Sequence, residues 1–379
     1  MLACQRDAFT LPDDLQYLNC ASRAPLLKVV EAAGVAGILA QRAPVSASPA
    51  EYFAEPDALR VAIGSLINCD PIQIALTPSV SYGVAIAANN LSLRRGQNIV
   101  MVEEEFPSDV YAWIAACEKT GATLRKVARA QSAARWTEHL VDHIDANTAL
   151  VSLSTVHWTD GLKFDVQSVA DRCREVGALF VLDATQSVGA MPFDFAAVQP
   201  DLLVCAGYKW LLGPYQMGFA ALGERLLQGE PFEYHWSTRI GSEYTSNTAY
   251  QPIFRPGARR FDVGEQGNPI TVPMLTAGIT QVTRWGVPAI AEYLESLAQH
   301  LQAGLPETHF QLPPSSDRGS HILGIRATDE ATTNAALQAL SAADIRISRR
   351  GNVLRVSPHL HCDTADIDAL LACLRKALS

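Results

Sequence analysis

The sequence lacks any apolar run long enough to span a bilayer. Its first residues, MLACQRDAFTLPDDL, lack the charged region and apolar stretch of a secretory signal peptide. It also lacks a basic excess, because 39 Asp and Glu outweigh 30 Lys and Arg and give a net charge of -9. Nucleic acids and anionic membranes both require a basic surface, so neither is expected as a partner.

Paired cysteines are absent as well. Eight cysteines are scattered over 379 residues, and none stands in a Cys-x-x-Cys pair. In a chain of this length the pattern indicates buried free thiols in a reducing compartment. It therefore predicts a cytoplasmic protein without a disulfide framework.

Two nucleotide-binding signatures are missing: no Gly-x-Gly-x-x-Gly follows the first predicted strand, and there is no P-loop. Their absence counts against a Rossmann-type nucleotide enzyme. What is present is an alternation of strands and helices, with strands such as 98–102, 178–183 and 202–206 apolar throughout most of their length. This pattern predicts an α/β fold with a mostly parallel sheet between helices. The connection to the last strand (217–222) is too short for a helical crossover, so that strand is expected to be antiparallel.

Helical periodicity surrounds this sheet. Helices are predicted at about 27–42 and 57–68, with a loop rich in Pro, Ser and Ala (43–56) between them. From about residue 261 the pattern changes to a long helix (about 274–305) followed by short strands and two further helices, an order typical of a smaller α+β domain.

The length corresponds to roughly two domains. We predict a large domain over 17–260 and a small domain formed by 1–16 plus 261–379.

Polar and aromatic side chains follow several predicted strands. Ligands of open parallel sheets bind beyond the carboxyl ends of the strands, so these side chains are expected to converge on one crevice. In chain order they are Ser79, Ser81, Phe106, His157, Trp158, Asp183, Gln186 and Lys209.

Lys209 stands out because its context, AGYKWLLGP, is apolar and aromatic, and lysine is seldom enclosed unless its amine has a task. An enclosed lysine has a lowered pKa and can form a Schiff base. Asp183 is either a helix cap or a functional carboxylate, and the turn Ser79–Ser81 is either a cap or a phosphate site. Together with a flat stacking partner such as Phe106, these groups meet the needs of pyridoxal 5'-phosphate (PLP).

The blocks DATQSVG (183–189) and GYKWLLGP (207–214) resemble those of the class V aminotransferase family. These fold-type I PLP enzymes include cysteine desulfurases, kynureninases and isopenicillin N epimerase-like proteins. Weaker similarities extend over most of the chain: YLNCASRAP (17–25), LTPSVSYGV (76–84), EFPSDVYAW (105–113), RRFDVGEQGN (259–268) and LRVSPHLHCDTADIDAL (354–370). The resemblance implies a fold-type I PLP transferase with a sheet of the seven-stranded type, a small amino-acid substrate, and a homodimer in which 259–268 reaches the neighbouring site.

The resemblance also implies roles by position. Lys209 is expected to bond to the cofactor aldehyde and then to carry the substrate's α-proton, while Asp183 pairs with the pyridine nitrogen. The other expected cofactor contacts are Gln186 at the ring hydroxyl, Phe106 on the ring face, and Ser79, Val80, Ser81 and Tyr208 at the phosphate. Arg355 is expected to take the substrate carboxylate, with Asn19, Ser22, His157 and Trp158 lining the substrate pocket.

Several departures from the family pattern concern the phosphate. Ala206 stands where many relatives have Ser or Thr, Tyr208 where many have His, and Val80-Ser81 where two Thr are common. Gly264-Glu265 replaces a Gly-Thr pair, and because a glutamate repels phosphate we assign it no such contact. A further departure is that the loop ahead of Arg355 has no cysteine, which argues against a persulfide-forming cysteine desulfurase.

The sequence leaves the branch of the reaction open. Loss of the α-proton can lead to transamination, to elimination in a C–S or C–C lyase, or to epimerisation, and all three use Lys209, Asp183 and Arg355. We expect a class V aminotransferase first and a lyase second, because an epimerase needs a second acid on the opposite face. His157 is the candidate for that acid. A non-enzymatic binding module is disfavoured because all three groups are present.

Overall fold

The computed structural model of the protein describes residues 2–43, 49–130, 132–243 and 249–378. Its helices are α1 (Lys28–Ala40), α2 (Pro49–Ile67), α3 (Val80–Asn90), α4 (Tyr111–Thr120), α5 (Ala133–Asp142), α6 (Val166–Val176), α7 (Phe195–Val198), α8 (Thr271–Trp285), α9 (Val287–Gly304), α10 (Glu330–Ala342) and α11 (Thr364–Lys376). Its strands are β1 (Gln16–Tyr17), β2 (Ile74–Thr77), β3 (Asn98–Val102), β4 (Thr123–Val127), β5 (Thr148–Ser154), β6 (Leu179–Asp183), β7 (Leu202–Ala206), β8 (Gly218–Leu222), β9 (Phe310–Gln311), β10 (Leu323–Ala327), β11 (Ile345–Arg346), β12 (Ser348–Arg350) and β13 (Val353–Val356).

Seven strands form the central sheet in the order β2-β8-β7-β6-β5-β3-β4. Neighbouring strands from β7 to β4 are parallel, whereas β8 is antiparallel to both β2 and β7. Strands β6 (LFVLD) and β7 (LLVCA) are buried at every position except the first of β6, as parallel strands covered by helices on both faces must be. The predicted α/β class and the antiparallel last strand are confirmed.

The two faces of this sheet bury separate cores. Along β3, Ile99 and Met101 pack into the core that includes Trp113 of α4, while Val100 and Val102 pack into the opposite core. This alternation follows from strand geometry, in which successive side chains point to opposite faces. Helix α8 also packs into the second core, so it lies against the large sheet.

The C-terminal part forms a smaller antiparallel sheet in the order β12-β13-β10-β9. Helices α9, α10 and α11 pack with this sheet in a third core, which also takes up Phe9 and Leu18 from the N-terminal arm. Strand β1 pairs with β11 and ties the arm to this unit. The smaller α+β unit is confirmed, and the division into 17–260 and 1–16 plus 261–379 stays a prediction.

The predicted loop 43–56 is wrong for residues 49–56, and residues 44–48 lie outside the described part of the chain. Helix α2 starts at Pro49 and continues through Pro56, although an internal proline removes a helix hydrogen bond. Phe53 precedes this proline and Leu59 and Ile63 follow it, and all three are buried. Their burial offsets the hydrogen bond that the helix loses at Pro56.

The single long helix predicted at about 274–305 is two helices, α8 and α9. Gly286 separates them with φ 81°, and Pro288 stands in the first turn of α9. A glycine adopts this left-handed φ without strain, and the missing N–H of a proline is harmless in a first turn. Within the described residues, no helix combines the length and apolar character that crossing a membrane requires.

Candidate active site

The carboxyl ends of β5, β6 and β7 meet at one edge of the large sheet. Strand β6 ends at Asp183, which lies in register with Val204 of β7, and the backbone carbonyl of Asp183 accepts the N–H of Thr155 at 2.9 Å beyond the end of β5. Lys209 follows the end of β7 by three residues. The Asp183 carboxylate and the Lys209 amine therefore act on each other electrostatically.

The Lys209 amine is almost fully enclosed. Its side chain is 7% exposed, and Nζ lies 5.5 Å from the ring centre of Phe106 and 5.7 Å from that of Tyr208. Burial lowers the pKa of Lys209 to about 8, while the Asp183 carboxylate opposes the shift and Arg355 adds to it. A sizeable fraction of the amine is therefore neutral near pH 7 to 8, and this is the form that attacks a carbonyl carbon.

A tight turn fixes Asp183 and Gln186. Asp183 Oδ1 accepts the N–H of Thr185 at 2.8 Å, and Thr185 Oγ1 accepts the N–H of Ala206 at 3.0 Å, which joins the ends of β6 and β7. The Gln186 amide donates to the carbonyl of Ala21 at 3.1 Å and accepts from Trp210 Nε1 at 2.9 Å. Because the amide nitrogen carries two N–H groups, one of them is not used by the Ala21 bond.

Two buried acids beside Asp183 are functional candidates that the sequence analysis missed. The first is Glu105, whose carboxylate accepts the N–H of Phe106 at 2.8 Å and both the N–H and the hydroxyl of Ser154 at 3.1 and 2.9 Å. Burial raises the pKa of Glu105 to about 7 despite these bonds. Glu105 therefore anchors the backbone of Phe106 to the end of β5.

The second acid is Asp109, which is 2% exposed. Burial raises its pKa well above the usual value, the charges of Asp183 and Glu105 add to the rise, and the Asp183 carboxyl is its hydrogen-bond partner. No N–H or O–H donor of the described residues reaches Asp109 Oδ2. Two carboxyl groups share a hydrogen bond only when one is protonated, and the pKa shift makes Asp109 the neutral donor. The available signal was two acids flanking Phe106 in the segment EFPSDVYAW.

Phe106 and Trp158 form an aromatic wall near the lysine. Their ring centres are 5.6 Å apart in an edge-to-face arrangement with an interplanar angle of 76°. Trp158 Nε1 donates to the carbonyl of Glu104 at 2.7 Å, which fixes the indole. Glu105 thus holds the backbone of Phe106, and the carbonyl of Glu104 holds the indole of Trp158.

Arg355 lies on β13 and is 1% exposed. Its Nε donates to Ser348 Oγ at 3.0 Å, Nη1 to the carbonyl of Trp158 at 2.6 Å, and Nη2 to Ser22 Oγ at 2.6 Å. Burial lowers the pKa of Arg355 to about 9, so the guanidinium stays positive at neutral pH. Asn19 lies one turn away, where its carbonyl accepts the N–H of Ser22, and its buried Oδ1 has no donor among the described residues.

The start of α3 has the groups of an anion site. Ser79 Oγ accepts the N–H of Tyr82 at 3.2 Å and lies 3.0 Å from Ser81 Oγ. The hydroxyl of Thr77, at the end of β2, is buried and without a partner in the described part of the chain. Val80 adds only its backbone N–H. Free N–H groups and hydroxyls at the positive end of a helix favour an anion.

Tyr208 lies next to Lys209 in sequence, but its ring is stacked on Tyr215, with ring centres 4.1 Å apart and an interplanar angle of 14°. Arg23 covers the other ring of this pair, with its guanidinium carbon 4.2 Å from the centre of Tyr215. Tyr208 is therefore held beside the lysine by stacking.

The ring nitrogens of His157 form their hydrogen bonds with residues outside the predicted site. The side chain is fully buried against Trp136, Nδ1 bonds Thr159 Oγ1 at 2.8 Å, and Nε2 bonds the carbonyl of Glu104 at 3.1 Å. Burial lowers its pKa to about 3, and Arg129 adds to the effect. The imidazole is thus neutral, with both nitrogens engaged.

Two further features of the described residues bear on where a site could lie. A cleft of about 1050 Å³ includes Asn68, Gln73, Asp201 and Arg225 in its lining and none of the predicted site residues. Over the described ranges, no group of three or more His, Cys, Asp or Glu side chains is arranged to hold a metal ion.

A family model for class V aminotransferases matches residues 45–370. The chain belongs to the class V aminotransferase family. This confirms the resemblance of its motifs, and because the family is PLP-dependent it also confirms an enzyme that uses PLP.

Individual relatives have low sequence identity to this chain, but the similarity covers most of its length. An uncharacterised aminotransferase of Bacillus subtilis, YcbU, is 24% identical over 82% of this chain and 80% of its own length. Isopenicillin N epimerase of Streptomyces clavuligerus is 25% identical over 96% and 95%, and a cysteine desulfurase of an Enterobacter strain is 27% identical over 67% and 62%. A solved structure of the cystine C–S lyase C-DES with cysteine persulfide has the same fold, with a TM-score of 0.86, 23% identity and coverage of 96% and 97%.

The arrangement of side chains fits the family's cofactor. It provides a buried amine with a lowered pKa, the Asp183 carboxylate at the end of β6 with Asp109 beside it, an aromatic face, and a helix N-terminus with hydroxyl groups. The hydroxyl of Thr77, which has no partner among the described residues, is the kind of buried polar atom that a bound polar group explains.

Proposed function

We propose that this class V aminotransferase-family enzyme transfers the amino group of a small amino acid to a keto acid. The observation that carries the proposal is the enclosed Lys209 amine, which faces Phe106 and lies in the opposing fields of Asp183 and Arg355. A lysine with this environment is available as a nucleophile and as a base, and the arginine supplies a counter-ion for an amino-acid carboxylate.

Bound PLP supplies an electron sink that stabilises negative charge at the substrate's Cα. In our proposal Asp183 holds the proton of the cofactor's ring nitrogen, Gln186 donates its spare N–H to the ring hydroxyl, and Phe106 covers one ring face. Ser79, Val80 and Ser81 hold the phosphate through hydroxyl and N–H groups at the start of α3. Tyr208 borders this site.

The chain's own groups then control the proton and the orientation. Arg355 holds the substrate carboxylate with its remaining N–H groups, a geometry that suits a planar carboxylate better than a lysine would. As a neutral amine, Lys209 Nζ is placed to take the proton from the substrate's Cα. In transamination it would return this proton to the carbon of the cofactor's aldehyde group instead of to Cα. Asn19 Oδ1 accepts a hydrogen bond from the substrate, and Trp158 closes the pocket beside Phe106.

The cysteines support the exclusion of a persulfide-forming desulfurase. All eight are free thiols. Cys20 and Cys205, which lie nearest to the site in sequence, are fully buried, and burial raises the pKa of both thiols. Cys362, beyond Arg355, is buried with a raised pKa too. A nucleophilic cysteine needs an exposed, electropositive setting that lowers its pKa, so none of these three is suited. Eight free thiols also support a cytoplasmic location.

The surroundings of His157 favour transamination over epimerisation. Epimerisation needs a second proton donor opposite Lys209, and the imidazole has both nitrogens bonded and a pKa lowered to about 3. It cannot donate a proton near neutral pH, so His157 has a structural place beside Trp136 in this proposal.

We also propose a homodimer. Helix α1 carries four apolar side chains that are 43% to 56% exposed, namely Val29, Val35, Ile38 and Leu39. Several exposed apolar side chains on one helix are typical of an interaction surface. The segment 259–268 is proposed to approach the site of the neighbouring subunit. It is bound to α2 by the ion pair of Arg60 and Asp262 at 2.5 Å. Sedimentation at micromolar concentration tests this, and a fully active monomer contradicts it.

The reaction is tested by incubating the PLP-loaded enzyme with a panel of amino acids, with and without a keto acid. Product keto acid, released ammonia and optical rotation are measured separately, with Lys209→Ala as the inactive control. The proposal predicts turnover that depends on the keto acid and releases no ammonia. Release of ammonia together with pyruvate assigns a lyase, and loss of rotation alone assigns an epimerase.

A further inference from the structure

Two arginines converge on one hydroxyl group in the substrate pocket. Ser22 Oγ accepts a hydrogen bond from Arg355 Nη2 at 2.6 Å and from Arg350 Nη2 at 3.2 Å. Arg350 lies on β12 next to β13, and its guanidinium carbon is 5.4 Å from the ring centre of Trp158. A single oxygen atom thus separates two positive groups, and both also contact Trp158.

Neither arginine has a carboxylate partner within the described residues. Burial lowers the pKa of each, and the positive charge of Arg350 lowers that of Arg355 further; the phenol of Tyr17 opposes the shift of Arg355, but no Asp or Glu carboxylate among the described residues does so for either arginine. The adjacent arginines differ, since Arg349 pairs with Glu330 at 3.4 Å and Arg346 pairs with Asp344. Arg350 and Arg355 thus differ from the two arginines that lie nearest to them in sequence.

The N–H groups of Arg350 and Arg355 that have no acceptor also indicate an anionic ligand at these two residues. Arg350 Nε is buried and has no acceptor in the described part of the chain, while its Nη1 donates to the carbonyl of Arg349 at 2.9 Å. Arg355 spends one N–H each on Ser348, Trp158 and Ser22, which leaves one on each Nη nitrogen. Those two N–H groups suffice for one carboxylate, and Arg350 remains uncompensated. A buried cation next to a half-buried cation, with no carboxylate beside either, is costly unless a ligand supplies the negative charge.

We propose that the substrate is an amino acid whose side chain carries a second carboxylate, with Arg355 binding the α-carboxylate and Arg350 binding the side-chain carboxylate. This inference rests on the proposed function, because it places the amino acid between these arginines and Lys209. It names Arg350 as the residue that discriminates acidic substrates from their neutral isosteres. A carboxylate on Arg350 also satisfies the buried Nε.

Equilibrium binding of amine-free acids tests this without turnover. Calorimetry of the PLP-loaded enzyme with glutarate and with butyrate compares two and one carboxylates on similar chains. Glutarate is expected to bind at least tenfold more tightly. Arg350→Met is expected to weaken glutarate about tenfold and to leave butyrate within twofold, and Arg350→Lys is expected to keep part of the preference. Arg349→Met, at the exposed and paired neighbour, is the matched control and is expected to change neither.

Three results overturn the proposal. Equal affinity for glutarate and butyrate shows a site for one carboxylate only. Equal weakening of both acids in Arg350→Met shows that the two arginines share a single carboxylate, and no change in either shows that Arg350 is not a ligand. Thermal unfolding of each variant confirms that it is folded, and Arg350→Lys decides if the methionine variant is not. Attachment of PLP to Lys209 is measured separately by absorbance, so failure of the proposed function is distinguished from failure of this substrate class.

Discussion

The Nζ atom of Lys209 lies 5.5 Å from the ring centre of Phe106, and Glu105 fixes the backbone of that phenylalanine to the end of β5. The amine proposed to react with the cofactor and the ring proposed to stack on it therefore follow the ends of β7 and β3 of the same sheet.

Phe106→Ala is expected to raise the dissociation constant of PLP about tenfold, since loss of an aromatic contact costs about 1.4 kcal/mol beyond lost area. Titration of the cofactor-free protein, followed by absorbance, measures it. Phe106→Tyr keeps a ring and is expected to stay within threefold. Equal affinity of the alanine variant and the wild type contradicts the stacking role.

The rate at which cofactor-free protein captures PLP is expected to rise with pH and to level off above about pH 8. Burial lowers the pKa of Lys209 to about 8, and only the neutral amine attacks the aldehyde, so the reactive fraction grows as pH rises through that value. Stopped-flow absorbance between pH 6.5 and 10 measures the profile. A rate that keeps rising toward the ordinary lysine pKa contradicts an enclosed amine.

Asp109 is expected to act as a neutral hydrogen-bond donor to Asp183. Asp109→Asn keeps an N–H donor of the same size, so its cofactor affinity and absorbance spectrum are expected to stay close to those of the wild type. Asp109→Ala removes the donor and leaves a cavity beside Asp183, and its PLP dissociation constant is expected to rise about tenfold. If the asparagine variant is impaired as much as the alanine variant, the negative charge of Asp109 matters instead.

The ion pair of Arg60 and Asp262 is expected to dominate the stability of the β2 region. Arg60 Nη2 lies 2.5 Å from Asp262 Oδ2, both side chains are buried, and Asp262 Oδ1 also accepts the N–H of Leu76 at 2.8 Å. Removing one partner leaves a buried charge unpaired, so Arg60→Met is expected to cost about 3 to 5 kcal/mol of unfolding free energy. Urea denaturation measures it.

A surface pair provides the control for that experiment. Arg125 and Asp145 are 2.6 Å apart, with side chains 35% and 42% exposed. Arg125→Met is expected to cost less than about 1 kcal/mol, because solvent screens the pair. Equal losses of unfolding free energy in Arg60→Met and Arg125→Met would contradict the expectation that burial makes the first ion pair more important for stability.

Local patterns predicted much of the fold and site. The apolar strands β3, β6 and β7 were predicted within one residue, and the groups that follow them, Asp183 and Lys209, do meet at one edge of the sheet. These features depend on near neighbours in sequence, since a buried parallel strand must be apolar and its end must be polar.

Features that depend on distant contacts were not predicted. The burial of Phe53 and Ile63 that carries α2 through Pro56, and the facing of Asp109 and Asp183, join segments far apart in the chain. The convergence of Arg350 and Arg355 on Ser22 spans more than 300 residues. Such pairings follow from how strands and helices pack, and no local periodicity reports them.

Borohydride reduction of the PLP-loaded enzyme, followed by mass mapping of its peptides, tests the central claim most directly. The account predicts a yellow protein whose reduction fixes the cofactor to the peptide that contains Lys209, and a Lys209→Ala variant that is not labelled. A protein that stays colourless with added PLP, or one that is labelled at another lysine in both the wild type and the variant, contradicts the account.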